Sequence, residues 1–159
     1  MMKKEEFLKQ IEEARGIIYK VINLYANDLE DKKDLYQEIV FQAWKSYPNF
    51  RADSKFSTWL YKVSLNVSMT FLSKTKKQAQ VTEGFTVEMQ VEQSELSERS
   101  SILYRAIRTL NELERGIIML HLDGYDNTEI SEIAGLSKVN TGVKLHRIKQ
   151  QLIILLNQK

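Results

Sequence analysis

Cysteine is absent from the 159-residue chain. That excludes disulfides, thiolate metal ligands and cysteine nucleophiles, and it fits a reducing compartment. Proline occurs once, at Pro48, and glycine six times, so few positions force the backbone out of a helix. No apolar run approaches the roughly 18 residues that a membrane span needs; the run at the tail, Leu152–Leu156, is five residues long. The opening segment MMKKEEFLKQIEE mixes acids with bases and lacks an apolar signal core, so a cytoplasmic protein with no membrane insertion is expected. Strand-like alternation is nearly absent outside a short piece near Phe85–Val91.

What remains is an all-α pattern. Hydrophobic residues make up 43% of the chain, enough to exclude disorder over its full length. The net charge of +2 is unevenly spread: residues 1–77 carry +4, residues 78–98 carry five Glu and no base, and residues 99–159 carry +3. Two mildly basic blocks thus flank an acidic stretch. The expected architecture is two small helical domains, 1–77 and 99–159, joined by a flexible acidic linker, 78–98, where Gln, Glu, Ser and Thr dominate and no apolar period persists.

In the first block, Phe7, Ile11, Ala14, Ile18, Val21 and Tyr25 alternate spacings of four and three, predicting one helix over Lys4–Tyr25. A second helix is expected from an N-cap at Asp31 to Tyr47, where Pro48 stops it. A polar loop, Asn49–Ser54, leads to a third helix over Lys55–Lys76, with Phe56, Trp59, Leu60, Val63, Val67 and Phe71 assigned to its buried side. The second helix has an unusual surface. Leu35, Tyr36, Ile39, Val40, Ala43, Trp44 and Tyr47 form a wide apolar arc, yet Phe41 projects from the opposite face among Asp34, Gln37, Glu38, Gln42 and Lys45. An exposed aromatic ringed by acids and amides has the character of a protein-binding hot spot; packing under the linker or another helix is the alternative. In NFRADSKFSTWLYKVSLN, the rings of Phe50, Phe56, Trp59 and Tyr61 interleave with Arg51, Lys55 and Lys62. Such a mixture suits single-stranded nucleic acid, where rings stack bases and cations track phosphates. Core positions for Phe56 and Trp59 would leave contact to Arg51, Lys55, Lys62 and the polar loop groups.

The second block predicts four helices, Ser100–Leu110, Glu112–Leu122, Thr128–Ala134 and Lys138–Leu156. Asn111-x-x-Glu114 has the form of a capping box, and Gly124 and Gly135 stand where helix ends need a left-handed residue. A short amphipathic helix, a Gly135-Leu136 turn and a long helix capped by Ser137 make a helix-turn-helix, the unit that lays its second helix in a major groove. On that second helix Thr141, Leu145, Ile148, Leu152 and Leu155 share the core side. Asn140, Lys144, Arg147 and Gln151 share the other, with Lys138 at its start and Val143 beside them. Asn and Gln can pair bidentately with adenine, Arg and Lys with guanine or phosphate, and an aliphatic side chain can meet a thymine methyl. Gly142 inside this helix costs roughly 1 kcal/mol relative to Ala, a cost that a close neighbouring helix would justify.

These segments together resemble bacterial RNA polymerase sigma factors of the extracytoplasmic-function (ECF) type. The resemblance lies in DLYQEIVFQAWKSYPNFRADSKFSTWLYKVSLNV, residues 34–67, and LNELERGIIMLHLDGYDNTEISEIAGLSKVNTGVKLHRIKQQL, residues 110–152. It implies a factor that binds core RNA polymerase, helps melt promoter DNA, and leaves the chemistry to the polymerase, with no cofactor of its own. It implies that Asp34, Gln37, Glu38, Phe41 and Gln42 face the polymerase clamp. Asn49, Arg51, Asp53, Ser54, Lys55, Ser57, Lys62 and Asn66 would lie at the melted −10 strand. Thr128, Ser137, Lys138, Asn140, Thr141, Lys144 and Arg147 would lie at the −35 duplex. An anti-sigma factor is a further implied partner. The chain departs from the family pattern at Asn111, where Pro is common, at Leu65, where Arg is common, at Thr70, where Asp is common, and in KVNTGVK, where GTVKSR is commoner. These departures bear on promoter sequence preference rather than on fold. No Gly-rich phosphate loop, HExxH or serine-nucleophile motif appears, and His121 and His146 lie far apart in sequence, so an enzyme is not expected.

Overall fold

A computed structural model describes residues 2–51, 55–81 and 98–157. Its elements are α1 (Met2–Glu13), α2 (Arg15–Tyr25), α3 (Leu29–Ser46), a 3-10 turn (Tyr47–Asn49), α4 (Phe56–Val81), α5 (Glu98–Arg108), α6 (Glu112–Leu122), α7 (Asn127–Ala134) and α8 (Lys138–Leu156). No strand occurs among the described residues, so the all-α expectation holds. The helices form two compact units, one on each side of residues 82–97. Most of the expected linker and the alternating piece at 85–91 lie outside the described residues. Residues 78–81 belong to α4, and Glu98 opens α5. Among the described residues no helix is long and apolar enough to cross a membrane.

The first unit is built on α2, α3 and α4, which pack against one another. Ile18, Val21, Ile22, Leu24 and Tyr25 come from α2, Leu35, Ile39 and Ala43 from α3, and Leu60, Tyr61, Leu65 and Leu72 from α4. The single helix expected over Lys4–Tyr25 is instead two. Ala14 leaves the helical well (φ −103°, ψ 12°), and a tight turn from Ala14 O to Ile17 N starts α2. The apolar stripe stays in phase across this break, so periodicity could not reveal it. Only Gly16, a poor helix former, marks the place. The N-cap of α3 is Asp28, not Asp31: the Asp28 carboxylate accepts the Asp31 backbone N–H at 2.7 Å. The Asp31 carboxyl is itself raised above the usual carboxylate range, by burial first and then by Asp28, Asp34 and Glu30. Pro48 sits in the 3-10 turn, where its missing N–H is not needed.

The buried side of α4 also differs from expectation, by one residue. Tyr61, Ser64, Ser68 and Leu72 are buried, whereas Val63, Val67 and Phe71 are half-exposed. The hydroxyls of Ser64 and Ser68 are enclosed and meet no partner among the described residues. Hydropathy places serine outside, but a small side chain lets neighbouring helices come close.

The second unit centres on α6, in which Gly116 through Leu120 are all buried. Around it stand α7 with Ile130 and Ile133, and α8 with Leu145, Ile148 and Leu152. Its helix ends are fixed locally. Asn111 accepts from Glu114 N at 2.9 Å while Glu114 returns a bond to Asn111 N at 3.2 Å. Asp126 and Glu129 repeat this box at 2.8 and 3.1 Å. Ser137 caps α8 by accepting from Asn140 N at 3.1 Å. Gly124 and Gly135 have φ of 95° and 73°, which a side chain would strain. Arg115 closes α5, donating from Nε to Leu110 O at 2.9 Å and from Nη2 to Arg108 O at 2.5 Å. Burial, and then Arg115, lower Arg108 to about 10.

Two stability predictions arise here. Asp126→Ala removes one half of a reciprocal cap and should lower unfolding stability by about 1 kcal/mol in denaturant titration. Gly142→Ala should act in the opposite direction. A Cβ at Gly142 would meet only Asn127 Nδ2, at 3.8 Å, an ordinary contact. No close approach requires this glycine, so alanine should raise stability by up to about 1 kcal/mol, read as a higher Tm.

Candidate functional site

Three exposed surfaces carry the residues singled out by sequence. On α3, Asp34, Gln37, Glu38 and Phe41 are exposed and Gln42 is half-buried, its Nε2 donating to Glu38 Oε1 at 2.9 Å. Phe41 is 57% exposed, so no described helix covers it. Its ring stands at a groove of about 360 Å³ between α1 and α3, lined by Lys4, Phe7, Leu8, Tyr36, Val40 and Trp44 as well as Gln37. Leu8 and Trp44 are exposed too. Trp44, expected in the apolar arc of the core, is 42% open. The sequence offered no signal for Leu8, because α1 and α3 are apart in the chain.

The second surface is the loop before α4 and the outer face of that helix. Asn49, Arg51 and Lys55 are exposed, Ser57 is half-buried, and Asp53 and Ser54 lie outside the described residues. Lys62, Asn66 and Thr70 follow at spacings of four, so they share one exposed face opposite the buried stripe. The Thr70 hydroxyl is turned back onto Asn66 O at 3.0 Å. The aromatic residues here pack on each other. Phe50, Phe56 and Trp59 lie with centroids 5.2 to 5.8 Å apart, and Tyr47 meets all three. Tyr61 is buried in the core. The rings therefore shape the loop's two ends, while Arg51, Lys55, Lys62 and Asn66 remain open to a ligand.

The third surface is the helix-turn-helix. Gly135 turns the chain after α7, with its N–H bonded to Ser131 O, and Leu136 N also reaches Ser131 O at 3.0 Å. On α8, Lys138, Asn140, Arg147 and Gln151 are exposed and Lys144 is half-exposed; Thr128 and Ser137 are exposed at the starts of the two helices. Thr141, named above both for the core and for DNA contact, belongs to the core alone. It is fully buried, and its hydroxyl donates to Ser137 O at 2.9 Å. One residue escaped the sequence reading. Val139, 79% exposed, stands beside Lys138 and Asn140 on the outer face of the first turn of α8. A β-branched apolar residue on that polar face is the available signal, one it shares with Val143, 44% exposed. His121 is held below its ordinary pKa by burial and then by Lys149.

Known families match this arrangement in order along the chain. Residues 11–78 match sigma-70 region 2, and residues 100–152 match sigma-70 region 4. These two modules define an initiation factor for bacterial transcription. The chain belongs to the sigma-70 family, as a factor of the ECF type, and directs promoter-specific transcription by RNA polymerase. It is 27% identical over 150 residues to the ECF RNA polymerase sigma factor SigW of Bacillus subtilis, covering 85% of this chain and 80% of that one. It is 29% identical over 118 residues to the ECF RNA polymerase sigma-E factor of Escherichia coli, covering 65% and 62%. Its fold resembles that of sigma factor RpoE, solved with the anti-sigma factor NepR from Bartonella quintana, with TM-score 0.71, 20% identity and 98% and 97% of the two chains covered. It also resembles CnrH, solved with the cytosolic domain of CnrY, with TM-score 0.69, 17% identity and 97% and 89% covered.

Proposed function

We propose that the two units read two promoter elements while polymerase holds both. The first unit, 1–77 with the rest of α4, would dock on the polymerase clamp through Asp34, Gln37, Glu38, Phe41 and Gln42. It would hold the melted −10 strand with Asn49, Arg51, Lys55, Ser57, Lys62 and Asn66. Asp53 and Ser54, between these residues in sequence, belong to the same proposed set. The second unit, 99–159, would read the −35 duplex with Thr128, Ser137, Lys138, Asn140, Lys144 and Arg147, to which we add Val139 for a thymine methyl. The observation that carries this reading is the exposure of Lys138 and Asn140 in the first turn of α8, and of Arg147 two turns on, on the side turned away from Leu145, Ile148 and Leu152. A recognition helix needs its first turns solvent-facing and polar.

Bond making belongs to the polymerase in this scheme, and the chain acts in the cytoplasm as a binding factor rather than an enzyme. RpoE was solved with the anti-sigma factor NepR and CnrH with the cytosolic domain of CnrY; an anti-sigma factor covering one of the three surfaces is the corresponding partner here. The test is reconstitution with core RNA polymerase on fragmented genomic DNA, with transcription starts mapped. Starts preceded by a common pair of elements are expected. A factor that fails to bind core polymerase would sink the proposal.

A further inference from the structure

The helix α1 reaches the promoter-reading apparatus through a hydrogen bond and a ring contact. Most of it, residues 2–10, precedes the segment that matches sigma-70 region 2. Even so, the Tyr47 hydroxyl donates to Gln10 Oε1 at 2.8 Å, a bond spanning 37 residues of sequence. Phe7, also from α1, meets the Tyr47 ring at 5.0 Å. Tyr47 is the hub of the aromatic cluster. It lies 6.2 Å from Phe50 at one end of the 49–55 loop, and 6.3 and 6.2 Å from Phe56 and Trp59 at the other. Two neighbours of these rings, Arg51 and Lys55, are the exposed cations of the loop.

The surroundings give this bond its weight. Tyr47 is half-buried, and the rings around it meet it in both stacked and edge-on arrangements. An open cleft of about 540 Å³, lined by Gln10, Glu13, Gly16, Lys20, Phe56 and Ser57 among others, runs between the α1–α2 break and the start of α4. A directional bond from a separate helix is then what selects one orientation among those the rings could share.

We infer that Gln10 and Tyr47 are positioning residues: their bond sets the spacing of the two loop ends, and so of Arg51 and Lys55, before a DNA strand arrives. This rests on the −10 role proposed above for the loop. Pre-set geometry raises discrimination, because a loop free to adjust accepts wrong strands as readily as right ones.

The experiment uses full-length factor with core polymerase. Its templates carry a promoter mapped by the reconstitution above, randomised at each −10 position. Tyr47→Phe and Gln10→Leu each remove the bond and keep the bulk; Gln10→Glu keeps an acceptor. The preference for the best −10 sequence over single-base variants should fall roughly three- to tenfold in the first two, the size expected for one hydrogen bond. Gln10→Glu should retain it, and the double variant should be no worse than either single one. Core binding should be unchanged in all, which shows that they fold. Unchanged discrimination in both bond-deleting variants, or losses that multiply in the double variant, overturns this inference while the proposed function stands. A wild-type factor with no −10 preference overturns both.

Discussion

Phe41→Ala should weaken the factor's binding to core RNA polymerase by roughly thirtyfold or more, the effect of truncating a hot-spot aromatic worth about 2 kcal/mol. The ring is more than half exposed in the free protein and sits at an apolar groove between α1 and α3. It has little to contribute to the fold, so thermal unfolding of the variant should match that of the wild type within about 0.5 kcal/mol. Exposed phenylalanine is costly to solubility unless a partner covers it. Surrounding Asp34, Glu38 and Gln42 add charge and hydrogen-bonding groups, which set orientation more than affinity. Fluorescence titration against core polymerase measures the change. Wild-type affinity in the variant would remove Phe41 from the interface and leave the groove without its assigned partner.

The second large effect falls on the other unit. With Lys144 and Arg147 both changed to alanine, transcription from a −35-dependent promoter should drop by roughly a hundredfold, since each lost contact is worth about 1–3 kcal/mol. The loss should be accompanied by a shallower salt dependence, because fewer counterions are released on binding. Both side chains project from the outer face of α8 while Leu145 and Ile148 hold the inner one, so the helix itself should persist, as circular dichroism would check. Thr141→Val supplies a contrast. That side chain is buried, and its replacement should act on stability and leave promoter choice alone. A promoter preference altered by Thr141→Val and untouched by the double alanine change would reverse the assignment of the two faces.

The second unit was legible in sequence because its signals are local. Asn111 with Glu114, Ser137 before α8, and the glycines at 124 and 135 each act within a few residues, and each does in the structure what its chemistry demands. The first unit depends more on contacts between distant segments, and there the reading slipped. The N-cap went to Asp31 when Asp28, three residues earlier, had equal chemistry. The break at Ala14 was hidden by a stripe that keeps its phase across it. The face of α4 was misplaced by one residue because Val63 and Val67 are greasier than Ser64 and Ser68, though the serines fit the buried side. The candidate site fared similarly. Residue types were readable, but the hub position of Tyr47 was not, since Gln10 and Phe7 reach it from a helix far away in sequence.

The phase of α4 has a consequence for how such a chain can change. One side of this helix seals the interior with Tyr61, Ser64, Ser68 and Leu72, and the opposite side holds Lys62, Asn66 and Thr70 outward. Both sets ride on one rigid rod, in which each added residue turns everything downstream by about 100°. A single inserted residue after Tyr61 would therefore turn Lys62, Asn66 and Thr70 by about 100° relative to Tyr61 and open the seam between helices in the same stroke. Point substitutions on the outer side escape this penalty. The chain can change the chemistry of this face by exchanging side chains, and the length of the helix up to Leu72 is the quantity it must keep.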